Sequence, residues 1–250
     1  MTDYQFNFAH NWPSMYDKEA REQKAKRIVK VLADYFGEDR LKDLTLLDIG
    51  SSTGIMDNIL ARSFKKVIGT DIDEGGVEYA KKNFKKENLE FYVKDAMKLD
   101  LPSNSYDIVV CAQVYEHVPD TNKLFSEIYR VLKTDGVCYL AALNKIWPIE
   151  PHYKLPFLSW VPKKLADLYI RLFRNLPEYP ETLRTYWDLR KLTKKFLCVE
   201  YTEKILQNPI KYSYTGIIAT NFFVKNFVKI GAPLVKFFSP TFFWLLVKKS

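Results

Sequence analysis

No window of this sequence reaches the roughly 18 uninterrupted apolar residues that a membrane-spanning helix needs. The first twenty residues, MTDYQFNFAHNWPSMYDKEA, hold no apolar signal-peptide stretch. The expected setting is therefore cytoplasmic, with peripheral attachment at the inner face of a membrane left open. Cysteine is scarce: Cys111, Cys138 and Cys198 are odd in number, far apart and set in apolar runs. That pattern argues against a disulfide framework or a zinc site and suits core thiols in a reducing compartment. Acidic side chains stop after Glu203, while seven lysines follow among many phenylalanines. Residues 1–143 carry 20 basic and 23 acidic side chains, and residues 144–250 carry 18 and 7. The whole excess behind the net charge of +8 thus sits in the second part, which anticipates an anionic partner surface.

What is present reads as a folded chain. With 250 residues, 47% hydrophobic and 27% charged, one elaborated domain over 1–250 is expected. A polar helical stretch at 17–36 belongs to an N-terminal helical cap, 1–43. Short apolar runs at 44–50, 66–72, 89–95, 106–113 and 137–143 read as strands, and helices near 55–62, 75–84 and 122–132 alternate with them. Strand and helix alternating at this spacing give an α/β fold, with a Rossmann-like, mostly parallel sheet covered by helices on both faces. Residues 44–144 form its core. Beyond it a helix near 185–195, a strand near 198–206 and a last strand at 240–249 complete seven strands, interrupted by aromatic and basic helical insertions at 145–182 and 212–238.

Ligands of open parallel sheets bind beyond the carboxyl ends of the strands. The first strand there runs into Asp48-Ile49-Gly50-Ser51-Ser52-Thr53-Gly54, where Gly50 and Gly54 permit a tight turn and the following helix N-terminus offers free N–H groups. The second strand ends in Asp71, followed by Ile72; a carboxylate at that tip can accept from both ribose hydroxyls. The third ends in Asp95-Ala96, where a carboxylate and a backbone N–H suit an adenine edge. A dinucleotide site would want glycine at Ser52 and at Ile55, and neither is present.

LLDIGSSTG, VIGTDID, KDAMKLDLPSNSYDIVVCAQVYEHVPD and IYRVLKTDGVCYLAALN resemble the successive motifs of class I S-adenosylmethionine-dependent methyltransferases, most of all the ubiquinone/menaquinone-type branch that acts on small molecules. The resemblance implies S-adenosyl-L-methionine as cofactor. It places the methionyl part at Gly50 to Gly54 with Asp48 bracing the turn, the ribose on Asp71, the adenine at Asp95 and Ala96, and the sulfonium near Gln113. One departure is Ser52, where the family's turn usually has glycine.

Methyl transfer from a sulfonium is an in-line displacement on an activated carbon, so placement of the acceptor supplies much of the rate. A hydroxyl or acidic-carbon acceptor also needs a base. Of the three histidines, His117 follows the fourth strand and His152 the fifth, and both are candidate catalytic residues, with structural hydrogen bonding as the alternative. In ubiquinone-type O-methyltransferases the stretch matching Gln113 to His117 can hold a divalent metal, but an amide at Gln113 is a weaker ligand than a carboxylate, so no metal is expected. The signature of base and amino-group methyltransferases is absent at Gln113-Val114-Tyr115-Glu116, which argues against nucleic acid. Within 164–175, Leu165, Leu168, Tyr169, Leu172 and Phe173 share one helical stripe opposite cationic residues. Within 221–238 lysines occupy a narrow sector of an otherwise apolar segment. Both suit docking on an anionic bilayer that delivers a small, lipophilic or lipid-linked acceptor, O-methylation being favoured over C-methylation; a packed helix or a buried lid is the alternative. A membrane-peripheral or nucleic-acid-binding module that keeps the fold without methyl transfer is the competing class.

Overall fold

The computed structural model describes residues 12–215 and 236–249. Most of the 212–238 insertion, including the basic stretch of 221–238 up to residue 235, lies outside the described residues. After a short 3-10 turn at Pro13–Tyr16, helix α1 spans Lys18–Phe36. Asp17 caps it by accepting from the Ala20 N–H at 3.0 Å, and Gly37, at φ 89°, ends it. The alternating part follows as β1 (Thr45–Ile49), α2 (Ile55–Leu60), β2 (Lys66–Asp71), α3 (Glu74–Asn83), β3 (Leu89–Val93), β4 (Tyr106–Ala112), α4 (Thr121–Val131) and β5 (Leu132–Leu143). Helix α5 (Lys163–Arg174), α6 (Tyr186–Leu192), β6 (Phe196–Glu200), α7 (Thr202–Gln207) and β7 (Thr241–Lys248) complete the order.

The strands form one seven-stranded sheet in the order β3-β2-β1-β4-β5-β7-β6. All neighbours are parallel except β7, which runs antiparallel to both β5 and β6. Side chains alternate faces along each strand. On β5, Val137, Tyr139 and Ala141 join the apolar layer beneath α1, α2 and α3, while Cys138, Leu140 and Ala142 join the layer packed by α4. Burial on both faces explains why these strands read as unbroken apolar runs. Chain order reverses between β1 and β4, and a crevice opens at such a switch point.

The strand expected near 198–206 is a correction. Strand β6 pairs with β7 only from Phe196 opposite Lys248 to Glu200 opposite Trp244. There the Thr202 hydroxyl accepts the Phe243 N–H at 2.9 Å, in place of a ladder carbonyl. The chain turns into α7 and buries Ile205 and Leu206 in the core. Their apolarity marks a buried helix face, which a short apolar run cannot distinguish from a strand.

Insertion 145–182 holds its own small core of Tyr153, Leu155, Leu158, Ala166, Ile170 and Tyr179. Helix α5 turns Ala166 and Ile170 into it. Leu165, Leu168, Leu172 and Phe173 are 55%, 51%, 71% and 61% exposed, so four of the five stripe residues face outward, while Tyr169 packs against the small core as the packed-helix alternative has it. Among the described residues no helix is long and apolar enough to cross a membrane.

Candidate cofactor site and catalytic rim

The turn after β1 is held in left-handed backbone at Gly50 (φ 81°), Ser52 (φ 49°) and Gly54 (φ 70°). A Cβ on Gly50 would collide with Val114 just past β4, and one on Gly54 would lie 2.6 Å from Ala80 and 2.7 Å from Phe91. Gly50 therefore lets the turn approach the tip of β4, whereas Gly54 serves helix-to-sheet packing. Ser52 occupies a conformation that costs an L-residue roughly 1–2 kcal/mol. Its N–H donates to Asp71 Oδ2 at 2.7 Å, and the Asp73 N–H donates to Asp71 Oδ1 at 2.9 Å. These two bonds fix the Asp71 carboxylate. The carboxylate has about four acceptor positions in all, so these bonds leave part of its capacity open to a ligand.

A cavity of about 520 Å³ opens at the switch point. Gly50, Ser52, Asp71, Ile72, Ala96, Gln113, His117 and His152 all line it, so residues spread over a hundred positions meet in one chamber of a size suited to a nucleoside-bearing cofactor plus a small acceptor. Asp48, Gly54 and Asp95 are not among its lining residues. Asp95 Oδ1 instead accepts the Met97 N–H at 2.7 Å and braces the turn that presents Ala96.

Asp48 sits beneath the turn, 1% exposed, beside the fully buried Asp57 of α2. Burial, then the neighbouring Asp57 carboxyl, pushes the Asp48 pKa up. Asp57 is raised too, chiefly by burial, so the pair holds a proton in the folded state. A carboxyl whose folded pKa is raised favours folding while protonated and disfavours it as pH climbs from the ordinary 3.8 towards about 7. Asp57→Asn is accordingly expected to flatten this decline, leaving the variant relatively more stable with each rise in pH over that window. Urea midpoints measured across it check the point, and parallel curves for the two proteins would refute the shared proton.

The sequence reading missed the cover of this chamber. Trp12, Met15, Arg21 and Lys24 form its wall from the N-terminal segment. The Arg21 guanidinium has its pKa lowered by burial against the pull of Asp48 and Asp17. Lys24 donates from Nζ to Gln113 Oε1, and burial, then Arg21 and Arg27, brings its pKa down to about 7. In the sequence these are two cations of a polar helix; only packing over the strand tips singles them out.

At the rim, Tyr115 pins the loop after β4: its hydroxyl donates to the Leu143 carbonyl at 2.6 Å and accepts the Arg184 N–H at 3.0 Å. His152 Nδ1 lies 2.8 Å from Glu150 Oε1, and Glu150 also accepts the Tyr153 N–H at 2.7 Å. Burial would lower the His152 pKa, but the hydrogen bond and charge of Glu150, backed by Glu181 and Glu116, outweigh it and raise it. His117 differs: burial and then His152 drive it down to about 3, which keeps it neutral. Glu116 is buried and pushed up to about 7 by desolvation. Ligand atoms of Glu116, His117 and His152 fall within 4.8 Å of one another. His152 joins this group from a distant loop, so the three residues meet only in the folded chain. Glu150 and Glu181 were also missed, since nothing in their local sequence marks them as buried partners of histidines.

A mostly parallel seven-stranded sheet in this order, with a cavity of about 520 Å³ at its switch point, is the fold of a Rossmann-like methyltransferase. A family model described as "Methyltransferase domain" matches residues 47–140. The "Ubiquinone biosynthesis O-methyltransferase" of Paramagnetospirillum magneticum is 32% identical over 145 residues, 54% of this chain and 58% of that protein. The "Demethylmenaquinone methyltransferase" of Lactococcus lactis is 31% identical over 179 residues, 64% of this chain and 69% of that protein. The chain thus spans little more than half of the first and two-thirds of the second. In fold it is similar to phosphoethanolamine N-methyltransferase 2 of Haemonchus contortus, solved with phosphomonomethylethanolamine and S-adenosylhomocysteine, with a TM-score of 0.51 and 20% identity over 83% of this chain and 49% of that one. The chain belongs to the class I S-adenosylmethionine-dependent methyltransferases, in their ubiquinone/menaquinone-type branch, whose cofactor is S-adenosyl-L-methionine.

Proposed function

We propose that the protein methylates a hydroxyl oxygen of a small lipophilic or lipid-linked acceptor, with His152 as general base. The observation that carries this reading is the Glu150-held His152 in the wall of the chamber that contains Gly50, Asp71 and Gln113. S-Adenosyl-L-methionine, when bound, supplies a methyl carbon already activated by its sulfonium. Asp71 takes the ribose, Ile72 and Ala96 flank the adenine, the Gly50–Ser52 turn and Arg21 receive the methionyl end, and the Asp48–Asp57 pair keeps that turn rigid. Nδ1 of His152, donating to Glu150, leaves Nε2 to accept the hydroxyl proton as the new oxygen–carbon bond forms. His117, neutral, orients the acceptor. A second reading is favoured by the convergence of Glu116, His117 and His152: these three would hold a divalent cation, which would supply Lewis-acid polarisation of the acceptor oxygen. Activity lost to a chelator and restored by added magnesium or manganese selects it.

The acceptor arrives by membrane. Leu165, Leu168, Leu172 and Phe173 of α5, with exposed Phe157 and Trp160 nearby in the chain, offer an apolar ridge flanked by Lys163, Lys164 and Arg171, features that suit an anionic interface. Leu165→Glu with Leu172→Glu is expected to weaken flotation with anionic vesicles at least tenfold, given about 1.5–3 kcal/mol for each leucine buried. Incubating the protein with cofactor and cellular lipid extract should add the mass of one CH₂ to a lipid species. A methylated water-soluble product without a lipid one would overturn the lipophilic acceptor, and salt-sensitive RNA binding without vesicle binding would favour a nucleic-acid module.

A further inference from the structure

We infer that Lys24 is a further catalytic residue, binding the reacting acceptor oxygen as an oxyanion between the N-terminal helix and the tip of β4. The inference rests on O-methylation at this chamber as proposed above. Lys24 and Arg21 stand three residues apart on one face of α1, and both line the cavity. Their surroundings differ. Arg21 has the carboxylates Asp48 and Asp17 near it. Lys24 has Arg21 and Arg27 beside it on its own helix, Glu116 within electrostatic reach, and a neutral amide, Gln113 Oε1, as its one hydrogen-bond acceptor among the described residues. His117 and His152 line the same chamber.

A desolvated ammonium that donates to a neutral amide gains from an anion in the same chamber, because its charge is matched there by attraction that water does not screen. The lowered pKa of Lys24 reports the same imbalance from the side of the free protein. Gln113, which Lys24 touches, directly follows β4, where the family resemblance puts the sulfonium. An oxygen held by Lys24 is therefore at the reacting centre. The acceptor proton passes to His152 Nε2, the oxygen lone pair becomes the bond to the methyl carbon, and the carbon–sulfur pair stays on sulfur to give the neutral thioether. Lys24 keeps its proton throughout. Its part is to lower the pKa of the acceptor hydroxyl and to position the resulting anion, as donors aimed at developing charge do.

The test uses the full chain saturated with S-adenosylhomocysteine and 4-nitrocatechol as probe, whose absorption reports its ionisation. In the wild type, bound 4-nitrocatechol is expected to ionise at a pH at least about one unit below the free compound, the usual effect of a cation in contact. Lys24→Met should abolish that shift and Lys24→Arg should retain it, while all three proteins bind S-adenosylhomocysteine equally in calorimetry, which also reports that they are folded. A shift that survives Lys24→Met, a wild type that binds the probe without a shift, or one that binds S-adenosylhomocysteine but no probe each overturns the assignment to Lys24 and leaves the methyltransferase reading standing. A wild type that binds no S-adenosylhomocysteine removes that reading, and this inference with it.

Discussion

Asp71→Asn is expected to weaken S-adenosylmethionine binding by about a hundredfold or more. The substitution removes the negative charge proposed to hold two ribose hydroxyls, and a hydrogen bond to a charged acceptor contributes roughly 1.5–3 kcal/mol. The same carboxylate also accepts the N–H groups of Ser52 and Asp73, so a disturbed glycine turn is the competing cause of any loss. Adenosine separates the two. It carries the ribose but not the methionyl end, so loss of the ribose contact weakens adenosine and the full cofactor by the same factor, whereas a collapsed turn penalises the full cofactor more. Calorimetry showing cofactor affinity within threefold of the wild type would remove the ribose from Asp71. Burial raises the Asp71 pKa, so binding should weaken on acidification sooner than an exposed aspartate would dictate.

His152→Asn is expected to slow methyl transfer by 10²–10⁴, the usual contribution of a positioned base, with cofactor affinity unchanged. Glu150→Gln should slow transfer by a loss that approaches that of His152→Asn, because an amide no longer holds the tautomer that leaves Nε2 free to accept the proton, even with the ring in place. His117→Asn should cost least, since a histidine held neutral by burial has little proton affinity to lend. Single-turnover rates with bound cofactor check the order. More than half the wild-type rate in His152→Asn would sink the base, and equal losses at all three positions with a chelator-sensitive wild type would shift the assignment to a bound cation.

Much of this site can be read along the chain because it is built from strand ends. The apolar runs that become β1, β2 and β4 each stop at a polar or glycine residue, and those stops (Gly50, Asp71, Gln113) are the chamber's floor. Periodicity locates the stops to within a residue or so, and a parallel sheet brings successive strand tips to one edge. Asp95 shows the limit of that logic. It ends its strand in the expected place, yet its carboxylate closes the 95–98 turn and Ala96 alone of the two lines the cavity.

What sequence by itself determined is the sheet, its helical cover and the cofactor edge, because each follows from local periodicity and from short turns whose geometry their own residues dictate. Tertiary structure decided the rest: which cations of α1 line the chamber, which carboxylates are buried against His152 and His117, where β6 gives way to α7, and which way the α5 stripe faces. Those outcomes hinge on desolvation and on contacts between segments far apart in the chain, and a side chain's charge, basicity and exposure exist only once its neighbours are in place.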